Sequence, residues 1–241
     1  MRDTGIAGRL RGAGLRVVEV AGWQTAGSDS FDPGGSVNHH TAGPSSGATP
    51  SLLTCIDGRP DLTGPLCNVY QSREPSGEDI AYVIASGRAN HAGEGSWNGL
   101  SGNASVYGLE IEHTGTSALP EGRIQIAARI HAAMFTGPTS MVCQHREWTT
   151  RKIDAATNVD GAAFRSRVAA VRLPPPISRE DPDMYLVANP EGRYFTCAGG
   201  KLVAVAGPSD LEKYQNAGVP NVGKVSANQW GVLGRAYPVV T

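Results

Sequence analysis

Residues 106–112 read VYGLEIE, and in that run Tyr107, Leu109 and Ile111 alternate with Gly108, Glu110 and Glu112. A period of two is the mark of a β-strand, so the two glutamates share the face opposite the apolar residues. Similar short β-rich runs lie on both sides: LRVVEV at 15–20, SVNHH at 36–40, and 66–71, 80–85 and 141–145. Helical patterns separate them. Thr49 and Pro50 suit an N-cap and a first helical position for a helix over 50–57, which Gly58 stops. Over 123–135, Ile124, Ala127, Ala128, His131, Met134 and Phe135 fall on one stripe. A last helix over 159–172 turns Phe164, Val168 and Val171 inward. The expected architecture is α/β: a central mixed β-sheet flanked by helices.

The 241 residues suffice for one good core and a second small domain. LPPPISREDPD at 173–183 reads as an extended spacer, which divides a first domain (1–172) from a small C-terminal α+β module (184–241). Strands are expected there at 184–187, 193–197 and 201–205, and two capping-box patterns at Ser209–Glu212 and Ser226–Gln229 open helical turns. With 21 Lys+Arg against 22 Asp+Glu the formal charge is −1, which argues against general nucleic-acid binding. No run reaches the roughly 18 apolar residues of a membrane span. The N-terminus carries Arg9, Arg11 and Arg16 where a secretory signal needs an apolar stretch, so none is expected. Cys55, Cys67, Cys143 and Cys197 form no C-x-x-C pair and read as buried free thiols.

The six histidines are His39, His40, His91, His113, His131 and His145. His39 and His145 close two strands, and Asp154 follows nine positions after the second. Two imidazoles and a carboxylate make a three-ligand zinc site, which leaves a fourth position open as catalytic zinc requires. Adjacent strand residues face opposite ways, so only one of His39 and His40 can serve. His131 lies on an apolar stripe and reads as a core residue; His113 reads as a loop residue. Trp97 and Trp148 suit either a glycan groove or aromatic packing.

The segments VNHHTAG (37–43), GRANHAG (87–93), YGLEIEHTG (107–115) and HREWTTRKIDAA (145–156), in this order, resemble the zinc-dependent N-acetylmuramoyl-L-alanine amidases of type 2. That family shares its fold with the peptidoglycan recognition proteins and short phage amidases. The resemblance spans roughly residues 15–172; VVEVAGW, PLCNVY and the Pro-rich linker look most like endolysins of phages infecting actinobacteria. It implies zinc held by His39, His145 and Asp154 rather than by His40. It implies Glu110 as the acid that activates water and protonates the leaving amine, and Lys152 as the oxyanion partner; His91 reads as lining of the substrate cleft rather than a ligand, and Trp97 is the substrate-side aromatic if it does not serve packing. The implied substrate is bacterial peptidoglycan, and the implied setting is accumulation in host cytoplasm without a signal peptide, followed by holin-dependent release to the wall. Two alternatives are a non-catalytic peptidoglycan-binding module, against which the third ligand Asp154 speaks, and a wall-recycling amidase, which would lack an accessory module. The chain departs from the family pattern at Thr149-Thr150 before Arg151-Lys152, at Ala155, and at Gln144, where glycine is common. The C-terminal module is expected to bind cell wall through groups such as Tyr185, Tyr194, Tyr214, Trp230 and Tyr237.

Overall fold

A computed structural model describes residues 1–155, 158–171, 185–189, 191–198, 201–204, 221–224 and 239–240. The chain divides into two compact units, Met1–Arg172 and Leu173–Thr241. In the first, the elements run α1 (Ile6–Gly12), β1 (Arg16–Glu19), β2 (Gly35–His40), α2 (Leu52–Asp57), a small hairpin of β3 (Gly58–Arg59) and β4 (Leu62–Thr63), β5 (Val69–Gln71), β6 (Ile80–Val83), a second hairpin of β7 (Ser96–Trp97) and β8 (Leu100–Ser101), β9 (Val106–Ile111), α3 (Glu121–Met134), β10 (Val142–Gln144), α4 (His145–Trp148) and α5 (Gly161–Val171).

Six strands form one sheet in the order β1-β6-β5-β9-β2-β10. Its neighbours are parallel except β5 and β6, so the sheet is mixed. The register carries the site: His39 pairs with Glu110, and Glu110 with Tyr70, so three side chains stand in a row on one face across β2, β9 and β5.

Strand alternation sends β9's Tyr107, Leu109 and Ile111 into the main core. There they meet Ile6 and Leu10 of α1, Ile124, Ala127, Ala128 and Ile130 of α3, and Phe164 and Val168 of α5. Each large apolar side chain buried in this layer is worth about 1.5–3 kcal/mol. The opposite face is a second buried layer, not a solvent face: Cys55, Cys67, Tyr70 and Ile84 pack there, as do Val37, Ala92, Val106, Cys143 and Trp148. Cys55, Cys67 and Cys143 are free and buried; the side chain of Cys197 lies outside the described residues.

Several boundaries differ from the sequence reading. Helix α2 begins at Leu52, because Ser51 is drawn to a buried carboxylate and gives its backbone N–H to Glu112 at 2.9 Å. Gly58 ends it at φ 91°, where a Cβ would lie 2.3 Å from the Gly64 nitrogen. His145 opens α4 instead of closing a strand. The Gln144 side chain caps the backbone of Glu147, and Glu147 Oε2 accepts the Gln144 N–H at 2.9 Å.

In the second unit, β11 (Tyr185–Ala188), β12 (Tyr194–Ala198), β13 (Lys201–Ala204), β14 (Asn221–Lys224) and β15 (Val239–Val240) form a sheet in the order β14-β11-β12-β13-β15. β11, β12 and β13 stand within a residue of the expected strands. The proline-rich spacer and both expected helical turns lie outside the described residues. No helix among the described residues is long and apolar enough to cross a membrane.

Candidate metal centre

β2 delivers His39, the N-terminus of α4 delivers His145, and the loop after α4 delivers Asp154. The fixed points are close-packed: β10 lies against β2 with Gln144 beside Asn38 in register, and Arg146 N–H bonds the Asp154 carbonyl at 2.7 Å. Both histidines are buried, 1% and 3% exposed, and Asp154 is 9% exposed. His39 Nδ1 lies 2.9 Å from His145 Nδ1 and 3.3 Å from Asp154 Oδ2; His145 Nδ1 lies 3.0 Å from that same oxygen. Zinc bonds of about 2.0–2.2 Å in a tetrahedron set neighbouring ligand atoms about 3.3–3.6 Å apart, so the three atoms stand nearly at ligand spacing.

Hydrogen bonds at the far side of each ring decide what the near side offers. His145 Nε2 faces the Ala92 carbonyl at 3.2 Å and donates to it, which leaves a lone pair on Nδ1. Burial holds the His39 pKa down at about 4, so that ring is neutral near pH 7. Burial opposes ionisation of Asp154, but the His145 and His39 rings beside it hold its carboxyl well below the usual carboxylate range. Two imidazole Nδ1 atoms and a carboxylate oxygen, each able to offer a lone pair, converge within about 3 Å in a buried place. A cation among them would be held by all three, and the donor set fits zinc. Among the described residues these three are the cluster able to hold a metal ion.

Glu110 is half-buried beside His39, and its Oε2 is buried without a hydrogen-bond partner. Burial raises its pKa well above the usual value; the charge of Asp154 pushes the same way, and the Lys152 ammonium pulls against it. Lys152 itself is exposed at the surface of the loop. Its charge also acts on His39, so the loop brings the ammonium within electrostatic range of the ligands and of Glu110.

Glu112, two residues on, is fully buried and saturated. It accepts from Thr41 Oγ1 at 2.9 Å, Ser51 N at 2.9 Å, Ser51 Oγ at 3.2 Å and Tyr70 OH at 2.5 Å. One carboxylate at the end of β9 and one just past it thus differ: Glu112 is held by four bonds, while Glu110 has an oxygen without a partner.

His40 points away from the cluster, with its ring 5.9 Å from that of His113. His113 stands in the loop after β9, as expected, but is buried there at 4% exposure, bonded to Gly115 N and Ser117 Oγ. His131 sits in the core as expected, with burial pushing its pKa down to about 3. It joins Ser36 Oγ at 2.8 Å and Asn38 Oδ1 at 3.3 Å, and Asn38 Nδ2 in turn bonds Gln144 Oε1 at 3.0 Å. This chain, unforeseen in the sequence, braces the two residues that precede His39 and His145. It also gives Gln144 its purpose as brace and helix cap.

His91 reaches the cluster directly, against His39. Trp97 does not: its N–H goes to the Ser140 carbonyl at 2.8 Å, its ring face lies 5.0 Å from the Arg165 guanidinium, and it packs against the layer holding Trp148. Trp148 is buried in that same layer.

No family model and no curated protein matches the sequence. Solved structures do resemble it. A selenomethionine derivative of AmpD is 23% identical, with 64% of this chain and 94% of that one covered and a TM-score of 0.48. The endolysin N-acetylmuramoyl-L-alanine amidase LysCS from Clostridium intestinale is 15% identical over 64% and 95% of the two chains, with a TM-score of 0.45. The N-acetylmuramyl-L-alanine amidase AmiD from E. coli, solved with a muropeptide substrate, is 17% identical over 60% and 59%, with a TM-score of 0.43. None of these likenesses assigns a role to a residue of this chain.

Proposed function

We propose that the chain is a zinc-dependent N-acetylmuramoyl-L-alanine amidase of the endolysin kind. It hydrolyses the amide between the lactyl group of muramic acid and L-alanine in bacterial peptidoglycan. One observation carries the reading: three acceptor atoms converge in a buried cluster beside a carboxylate that has an unpartnered oxygen. His39, His145 and Asp154 would hold the zinc. When bound, zinc would supply Lewis acidity toward the scissile carbonyl and lower the pKa of water toward about 7.

Glu110, on the same sheet face as His39, takes the proton of the attacking water and returns it to the departing amine of L-alanine. The C–N bond breaks as a carboxylic acid forms on the lactyl side. Such proton transfer is worth about 10²–10⁴ in rate. Lys152 sets a positive charge beside the negative charge that grows on the carbonyl oxygen. The choice of a muramoyl amide over other amides draws on the ordered motifs at 37–43, 87–93, 107–115 and 145–156.

The second unit favours the endolysin over a recycling amidase, since a tether to the wall raises the local concentration of enzyme at an insoluble substrate. In that setting the enzyme accumulates in host cytoplasm and reaches the wall through a holin. The test is digestion of purified peptidoglycan by the full chain, with the products identified by mass spectrometry. The reading expects stem peptides with a free L-alanine amine and glycans that keep the lactyl group. Cleavage of glycosidic bonds or cross-bridges, or no cleavage, would overturn it.

A further inference from the structure

His91 lies where the sequence motif suggests cleft lining, but its contacts run inward on both sides. Its Nε2 is 3.1 Å from the Val106 carbonyl, and its Nδ1 is 3.0 Å from His39 Nε2. A carbonyl only accepts, so His91 Nε2 carries the hydrogen and His91 Nδ1 is an acceptor. His39 Nε2 must then donate, which strips the hydrogen from His39 Nδ1, the atom that faces His145 and Asp154. The opposite tautomer of His39 would aim an N–H into the cluster.

We propose that His91 is a positioning residue that fixes the metal-ready tautomer and ring angle of His39. The proposal rests on the metal-site reading above. Outer partners of metal-bound histidines do this elsewhere with carboxylates or carbonyls; here an imidazole relays the instruction from a backbone carbonyl one turn of the relay further out.

The surroundings are built to hold that ring. Asn103 Oδ1 accepts three successive backbone N–H groups, from His91, Ala92 and Gly93, at 3.1, 2.7 and 3.2 Å, which pins the loop. Gly108 leaves room for it: a Cβ there would stand 2.5 Å from His91 Cγ. The His39 and His91 rings meet edge to face, with centroids 5.1 Å apart and planes at 83°. Strand β9 therefore supplies both the Val106 carbonyl that orients His91 and the Glu110 carboxylate beside His39.

The test measures zinc affinity of the full chain by competition with a chromophoric chelator. His91→Leu fills similar space but accepts no hydrogen bond; His91→Asn places an acceptor oxygen near the lost Nδ1. His91→Leu should bind zinc about 10–100-fold more weakly, and His91→Asn should recover most of that loss. Nitrogen NMR of the zinc-loaded wild type should show hydrogen on His39 Nε2. Wild-type affinity in His91→Leu, or equal losses in both variants, would overturn the proposal, because either result makes the ring mere packing. His145→Ala separates the two readings: if it binds zinc as the wild type does, or if the wild type binds none, the metal site itself is wrong and the relay falls with it.

Discussion

Glu112→Gln changes one atom's chemistry and leaves the shape of the side chain intact. The wild-type carboxylate is 0% exposed and accepts four hydrogen bonds. If the amide oxygen keeps Thr41 and Ser51 Oγ, the new NH₂ group faces Ser51 N–H and Tyr70 OH. The tyrosine hydroxyl can turn and accept, but a backbone N–H cannot. One buried donor is left unpaired at about 1–3 kcal/mol, and the bonds that remain lose the benefit of charge, so the expected destabilisation is about 2–4 kcal/mol. Urea unfolding followed by tryptophan fluorescence measures it, with the slope of the transition compared between the proteins. Below the midpoint, the specific activity of the folded variant should stay near the wild-type value. A stability loss under about 0.5 kcal/mol would refute the structural role drawn for the four bonds. Normal stability with lost activity would mean that Glu112, not Glu110, does the chemistry.

Glu110→Gln should behave in the opposite way: zinc retained, stability unchanged or raised because its Oε2 has no partner, and turnover down by about 10²–10⁴ in a muropeptide assay. Gly108→Ala should push the His91 ring aside, since the added methyl meets it at 2.5 Å, and should weaken zinc binding in the chelator competition; unchanged affinity would contradict the tight fit. Asp3 gives a pH dependence. Burial raises its pKa, but hydrogen bonds from Arg9 and from Tyr107 OH at 2.7 Å outweigh burial and hold it below 3.8. A carboxyl depressed on folding stabilises the protein above its unfolded pKa and loses that effect as pH falls through the folded value. Wild type should therefore exceed Asp3→Asn in stability at pH 6, with the gap closing below about pH 4; a gap that widens in acid would reverse the sign.

The strands that build the site were legible because alternation is a local property: VYGLEIE shows its period without any knowledge of neighbours. What that period could not tell is what covers the second face. Glu110 and Glu112 were placed together, away from the main core, yet α2, Tyr70 and Ser51 bury Glu112 there and leave Glu110 free. α1 is not legible in the sequence, because IAGRLRG carries two glycines and only Ile6, Ala7 and Leu10 for a buried face. Its stability comes from packing against the core, which no seven-residue window reveals. The apolar start of MVCQH makes His145 look like a strand end, yet the signal for a helix start stands beside it, as Gln144 with Glu147 three positions later. The packing of Trp97 against Arg165 and the Ser140 carbonyl depends on elements some forty and more residues away, which residue type alone does not reveal.

The convergence of His39 Nδ1, His145 Nδ1 and Asp154 Oδ2 is the claim on which the rest depends. Elemental analysis of the purified full chain, after saturation with zinc and exhaustive removal of excess, tests it most directly alongside His145→Ala. The account predicts about one zinc per wild-type chain, as a single three-ligand site requires, and close to none in the variant. No zinc in the wild type, or a full complement in His145→Ala, would contradict it.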